Sequence, residues 1–143
     1  MILQDIYLKR IDWHVRVYHA VDAFWADEIT DDLITIGCNG EKLKKAKKIL
    51  WSGLPDNGIT FTNPEIRRTL MVIGFTSNGA EYWNTINHEL QHMLDHIGSA
   101  LGLSQHGETI AYVSGEFMRE VYNSDAKALL CDSCREHIGA KSN

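Results

Sequence analysis

Apolar and polar residues alternate between positions 11 and 18. Trp13, Val15 and Val17 fall on one side, His14, Arg16 and Tyr18 on the other. A period of two predicts a half-buried strand. From about 21 to 36 the spacing becomes helical, with Val21, Phe24, Trp25, Leu33 and Ile36 as the apolar positions and Gly37 as the stop. A second helix is predicted over about 40–51, with Leu43, Ala46, Ile49 and Leu50 facing inward. The stretch Leu54-Pro55-Asp56-Asn57-Gly58 reads as a turn, 59–62 as a short strand, and 69–76 as a stronger strand rich in β-branched residues. Two long helices follow, over about 79–101 and 107–122, before a short tail from about 124. The order β-α-α-β-β-α-α predicts an α+β fold.

The chain has 143 residues and is 44% hydrophobic, enough for one domain with a real core. The whole of 1–143 is therefore expected to be one unit, with strand and helices over 1–62, a catalytic core over 69–122 and a tail over 124–143. Net charge is -5, which argues against nucleic acid or an anionic membrane as the main partner. No signal peptide or membrane-spanning run is visible at the sequence level. Three cysteines form no disulfide framework, which points to a reducing cytoplasm.

Within the helix over 79–101, His88-Glu89-Leu90-Gln91-His92 fits H-E-x-x-H. Positions four apart lie one turn apart on one helix face, so both imidazoles can reach a single Zn²⁺. The intervening Glu89 is placed to take a proton from a zinc-activated water. Trp83, Ile86, Leu90, Met93, Leu94, Ile97 and Leu101 form the apolar stripe, and the histidines point away from it. Asn78 and Glu81 have capping-box spacing at the helix start.

A catalytic zinc ordinarily has three protein ligands. His96, His106, Glu108 and Glu116 are the candidates for the third. His96 continues the histidine row, but three successive turns of a straight helix diverge too far to close around one ion. Glu108 opens a helix whose core stripe is Ile110, Val113, Phe117 and Val121. Opposite that stripe lie Glu108, Ala111, Tyr112 and Gly115, and the small residues among them are expected to let the two helices approach closely. Glu108 is the better placed candidate, with Glu116 in reserve.

The stretch Gly107-Glu108-Thr109-Ile110-Ala111-Tyr112-Val113-Ser114-Gly115 is similar to the glutamate helix of gluzincins, the thermolysin-like branch of the zincin superfamily, which reads N-E-x-x-S-D-x-x-G. The metzincin pattern is excluded, because Asp95 and Gly98 stand where it needs Gly and His. The gluzincin resemblance covers about 70–120. It implies a zincin-like fold, with a small antiparallel or mixed sheet packed on an active-site helix and a glutamate helix. It further implies a zinc metallopeptidase with His88, His92 and Glu108 as ligands, Glu89 as general base, and a peptide or protein as substrate. Tyr112 replaces the Asp that usually orients a zinc-bound histidine. The segment 70–76 resembles the strand whose edge binds extended substrate.

Two other readings compete. A deformylase-like amidase would take its third ligand from an upstream cysteine, and Cys38 is the only one. A non-catalytic zincin-like module would keep the metal to bind a dedicated partner. Cys131-x-x-Cys134-x-x-His137 looks like part of a second zinc site, but reduced structural cysteines are the plainer reading. Lys42, Lys44, Lys45, Lys47 and Lys48 read as a solvated helix face. Tyr112, Tyr122 and His106 are each eligible to stabilise an oxyanion.

Overall fold

The computed structural model describes residues 1–135. Strands β1 (Ile2–Leu8), β2 (Trp13–Val21), β3 (Gly58–Asn63) and β4 (Arg68–Gly74) form one mixed sheet in the order β1-β2-β4-β3. β1 and β2 are antiparallel, β2 and β4 parallel, and β3 and β4 antiparallel. Helices α1 (Ala26–Thr35) and α2 (Gly40–Trp51) connect β2 to β3, while α3 (Gly79–Leu101) and α4 (Glu108–Tyr122) follow the sheet. The class is α+β, as expected. Among the described residues no helix is long and apolar enough to cross a membrane.

Alternation along the strands splits the core in two. Trp13, Val15, Val17, Met71 and Ile73 meet Ile86, Leu90, Ile97, Val113 and Phe117 of α3 and α4 on one face. Tyr18, Val21, Leu70 and Val72 meet Ile29, Leu33 and Leu50 of α1 and α2 on the other. The sheet is thus covered by a helix pair on each side.

The structure departs from the sequence expectation in three places. β1 was not foreseen, because its alternation is broken where Gln4 points inward and Leu3 outward. β2 runs on to Val21, so the first helix starts later, at Ala26 after a 3-10 turn over Ala23–Trp25. A register shift between Tyr18 and Val21, with Ala20 at φ 57°, lets consecutive residues at the end of β2 all be buried. β4 is also not the edge expected of 70–76. It is hydrogen-bonded to β2 and β3 on its two sides, and the free edge beside α3 belongs to β3.

The inward Gln4 has a partner. Fully buried His19 sits between the Gln4 Oε1 (3.0 Å from Nε2) and the Tyr82 hydroxyl (2.7 Å from Nδ1), and Gln4 Nε2 donates to the Glu120 carbonyl at 2.8 Å. With Nε2 donating to Gln4 and Nδ1 accepting from Tyr82, a neutral imidazole is satisfied at both nitrogens. Burial pushes its pKa down to about 4, from an ordinary 6.5. Below the ordinary value the unfolded chain takes up a proton that the folded chain refuses, so stability falls as pH falls through that window. The expected loss is about 2 kcal/mol between roughly pH 7 and pH 5. Urea unfolding at the two pH values measures it, and His19→Gln, which does not titrate, should show a shallower dependence.

Candidate metal centre

α3 starts where the sequence says it should, since the Asn78 side chain accepts the Glu81 N–H at 2.9 Å. A carboxylate anchors the same turn as well, with Asp132 Oδ1 accepting the Gly79 N–H at 2.8 Å. The buried stripe runs through Tyr82, Ile86, Leu90, Met93, Leu94 and Ile97. Tyr82 takes the first place expected of Trp83, which is half-exposed on a neighbouring face.

Turning that stripe inward leaves His88 and His92 exposed and Glu89 buried at 3% exposure. The two Nε2 atoms are 3.2 Å apart, with the rings nearly perpendicular at 78°. Two nitrogens bound tetrahedrally to zinc at its usual distance are about 3.3 Å apart, so the pair has the spacing one ion requires. Donor atoms of His88, Glu89 and His92 all lie within 4.8 Å of one another. The three side chains therefore form a group able to hold a metal ion.

Glu89 is held from the sheet side. Thr60 Oγ1 on β3 lies 3.4 Å from Glu89 Oε1 and 3.3 Å from the Glu89 carbonyl. Gly58, at the start of β3, leaves the room the carboxylate occupies. A Cβ there would come within 2.7 Å of Glu89 Cγ and 2.8 Å of the Val72 carbonyl. Burial raises the Glu89 pKa above the ordinary carboxylate value, opposed by His92, His88 and the Thr60 hydroxyl. Gly58 and Thr60 were not foreseen. The sequence had Gly58 as the last residue of the turn before the strand over 59–62, which gives no sign of the close approach to Glu89.

His96 is committed elsewhere. Its Nδ1 lies 2.9 Å from Thr62 Oγ1, which lies 2.9 Å from Thr69 Oγ1, and Thr69 accepts the Trp13 indole N–H at 3.0 Å. This chain ties α3 to β3, β4 and β2, so α3 runs alongside β3 with Glu89 at Gly58 and Thr60 and His96 at Thr62.

The chain returns along α3 after Gly102. Leu103 N–H donates to the Gly98 carbonyl at 2.9 Å, and the Gln105 amide reaches back to the Leu94 carbonyl at 2.9 Å. A Cβ at Gly98 would lie 2.0 Å from Gln105 Nε2, so the glycine lets this loop close on the helix. Glu108 follows, exposed at the first position of α4, and the group around the histidines does not include its carboxylate. The expected close packing at Ala111 and Gly115 does not occur. Both are exposed, and among the described residues no atom would lie within 4 Å of a Cβ at Gly115. The reason is that Ile110, Val113, Phe117 and Val121 turn α4 so that the face bearing Glu108 looks to solvent.

The remaining candidates lie apart from the histidines' group. Glu116 is paired with Arg10 at 2.6 Å, and the Arg10 guanidinium also covers the Tyr112 ring at 4.5 Å. His106 and Tyr122 are exposed. Cys38 is buried among the α1 and α2 side chains, on the opposite face of the sheet from the main α3 core. Cys131 and Cys134 are free and exposed, and His137 lies outside the described residues. What the tail does contribute is Arg135, buried and donating to Thr76 Oγ1 at 3.0 Å and to the Leu129 carbonyl at 3.1 Å. Together with Asp132 it fastens the segment to the start of α3. No protein-family model matches this chain, and no curated protein or solved structure is significantly similar to it, so its chemistry is read from the site alone.

Proposed function

We propose that the chain is a zinc-dependent metallopeptidase that hydrolyses a peptide bond in an extended peptide or protein substrate. One observation carries the reading: a buried, fixed carboxylate stands beside two exposed imidazoles whose Nε2 atoms have the spacing of zinc ligands. His88 and His92 hold the metal in this reading, and Glu108, exposed at the start of α4 and outside the histidines' group as the side chains stand, is the proposed third ligand. A bound zinc supplies Lewis acidity toward the scissile carbonyl and acidifies a water. Glu89 takes the proton from the attacking water and delivers it to the leaving amine. Its burial and the contact with Thr60 hold the carboxylate in one place beside the two imidazoles, where such a base has to stand. The free edge of β3 beside α3 offers unpaired backbone groups for an extended substrate. Cys38, buried away from the histidines' group, counts against the deformylase-like ligand set.

The test is cleavage of an unstructured protein by the zinc-loaded chain, read as new N-termini by mass spectrometry. Cleavage that stops on chelation and in Glu89→Gln supports the reading. A zinc-loaded protein that leaves every substrate intact would favour the non-catalytic module.

A further inference from the structure

A groove of about 610 Å³ opens along the free edge of β3. Its floor is β3 itself, with side chains from both faces of the strand. Ile59 and Phe61 pack toward α2, whereas Thr60 and Thr62 contact Glu89 and His96 of α3. One wall is α3 at His96, Ser99 and Ala100, and the other is α2 at Lys42, Lys45, Ala46 and Ile49. His88, His92, His96 and Ser99 follow one another along a single helix face, so the groove begins about one turn (~5.4 Å) past His92. Its lining stops short of His88, Glu89 and His92, and Thr60, which contacts Glu89, is the residue the groove shares with the metal centre's surroundings.

The walls differ in charge. α2 carries five lysines against one glutamate, in a chain whose net charge is -5. Two of the five, Lys42 and Lys45, line the groove, and Lys44 and Lys48 lie on the far side of the helix. A strand added to β3 would alternate its side chains between the two walls. Those facing α2 recur about every 6.8 Å along the strand, close to the roughly 5–6 Å between residues three apart on a helix.

We propose that this groove selects an extended peptide with acidic side chains at alternate positions, which Lys42 and Lys45 read while the backbone adds to the edge of β3. The proposal rests on the peptidase reading and names its substrate class. The peptide lying over Thr60–Thr62 has its acidic residues on one side of the scissile bond, since Thr60 is also where Glu89 stands.

The test uses zinc-loaded Glu89→Gln protein and two blocked octapeptides of threonine and alanine, one with glutamate and one with glutamine at two alternate positions. Fluorescence anisotropy at low salt should show the glutamate peptide binding about tenfold tighter, the scale expected for two partly exposed charge pairs. Adding Lys42→Glu and Lys45→Glu should invert the preference. Adding Lys44→Glu and Lys48→Glu instead makes the same change in net charge and should leave it in place. Equal affinity for the two peptides, no binding of either, or an equal loss in both double variants would overturn the proposal. Wild-type protein separates this from the reading beneath it. A peptide bound with the expected preference but never cut removes the peptidase and keeps the groove, and cleavage without charge preference does the reverse.

Discussion

Glu89→Gln should lower turnover by about a thousandfold while the metal stays bound, the middle of the range for loss of a general acid–base group. Glutamine has nearly the same shape, so it fills the space under Gly58 and keeps a hydrogen bond to Thr60. Neither histidine changes, so the metal affinity should hold within a small factor. Stability should not fall either. In the metal-free chain burial disfavours the ionised form of Glu89, and a neutral amide removes that cost. A loss of turnover with metal and unfolding midpoint both preserved isolates the proton transfer. Activity within tenfold of the wild type would remove Glu89 from the mechanism.

Gly58→Ala should have the second largest effect, by a different route. The added methyl meets Glu89 Cγ on one side and the Val72 carbonyl on the other. Val72 is backbone in an inner strand and does not give way, so either β3 moves outward or Glu89 is displaced. A misplacement of about 1 Å in a catalytic group costs as much as a hundredfold in rate. Overpacking of this kind also costs about 1–3 kcal/mol of stability. The expected result is a kcat reduced by about ten- to a hundredfold with zinc binding retained, because the atoms nearest the added methyl belong to Glu89 and Val72 and not to the histidines. Gly115→Ala, on the open face of α4, is the matched comparison and should change neither quantity appreciably. Equal behaviour of the two alanine variants would mean that the contact between β3 and Glu89 has no role.

Much of this was legible in the order of residues. The H-E-x-x-H spacing and the apolar stripe behind it are local properties of one helix, and helical phase alone puts His88 and His92 outward. The start of α3 follows from its Asn78 cap in the same way. What was not legible depends on partners distant in sequence. Which strand forms the sheet edge is a matter of pairing, and a strongly apolar strand such as β4 reads the same whether flanked on one side or two. β1 escaped because Gln4 breaks its alternation for the sake of His19 and Tyr82, fifteen and seventy-eight residues away. The core stripe of α4 is the one the sequence predicts, and only the packing expected of its Ala111 and Gly115 face fails, for a related reason. Two faces of that helix were suited to packing, one by apolar residues and one by small ones, and burial of Phe117 and its neighbours decided between them.

The central claim is that His88, His92 and Glu108 hold one catalytic zinc. Zinc content per chain, measured on the wild type beside His88→Ala and Glu108→Ala after dialysis against a weak chelator, tests it most directly. The account predicts one zinc in the wild type and none in either variant. A wild type that takes up no zinc, or variants that keep it in full, would contradict the account.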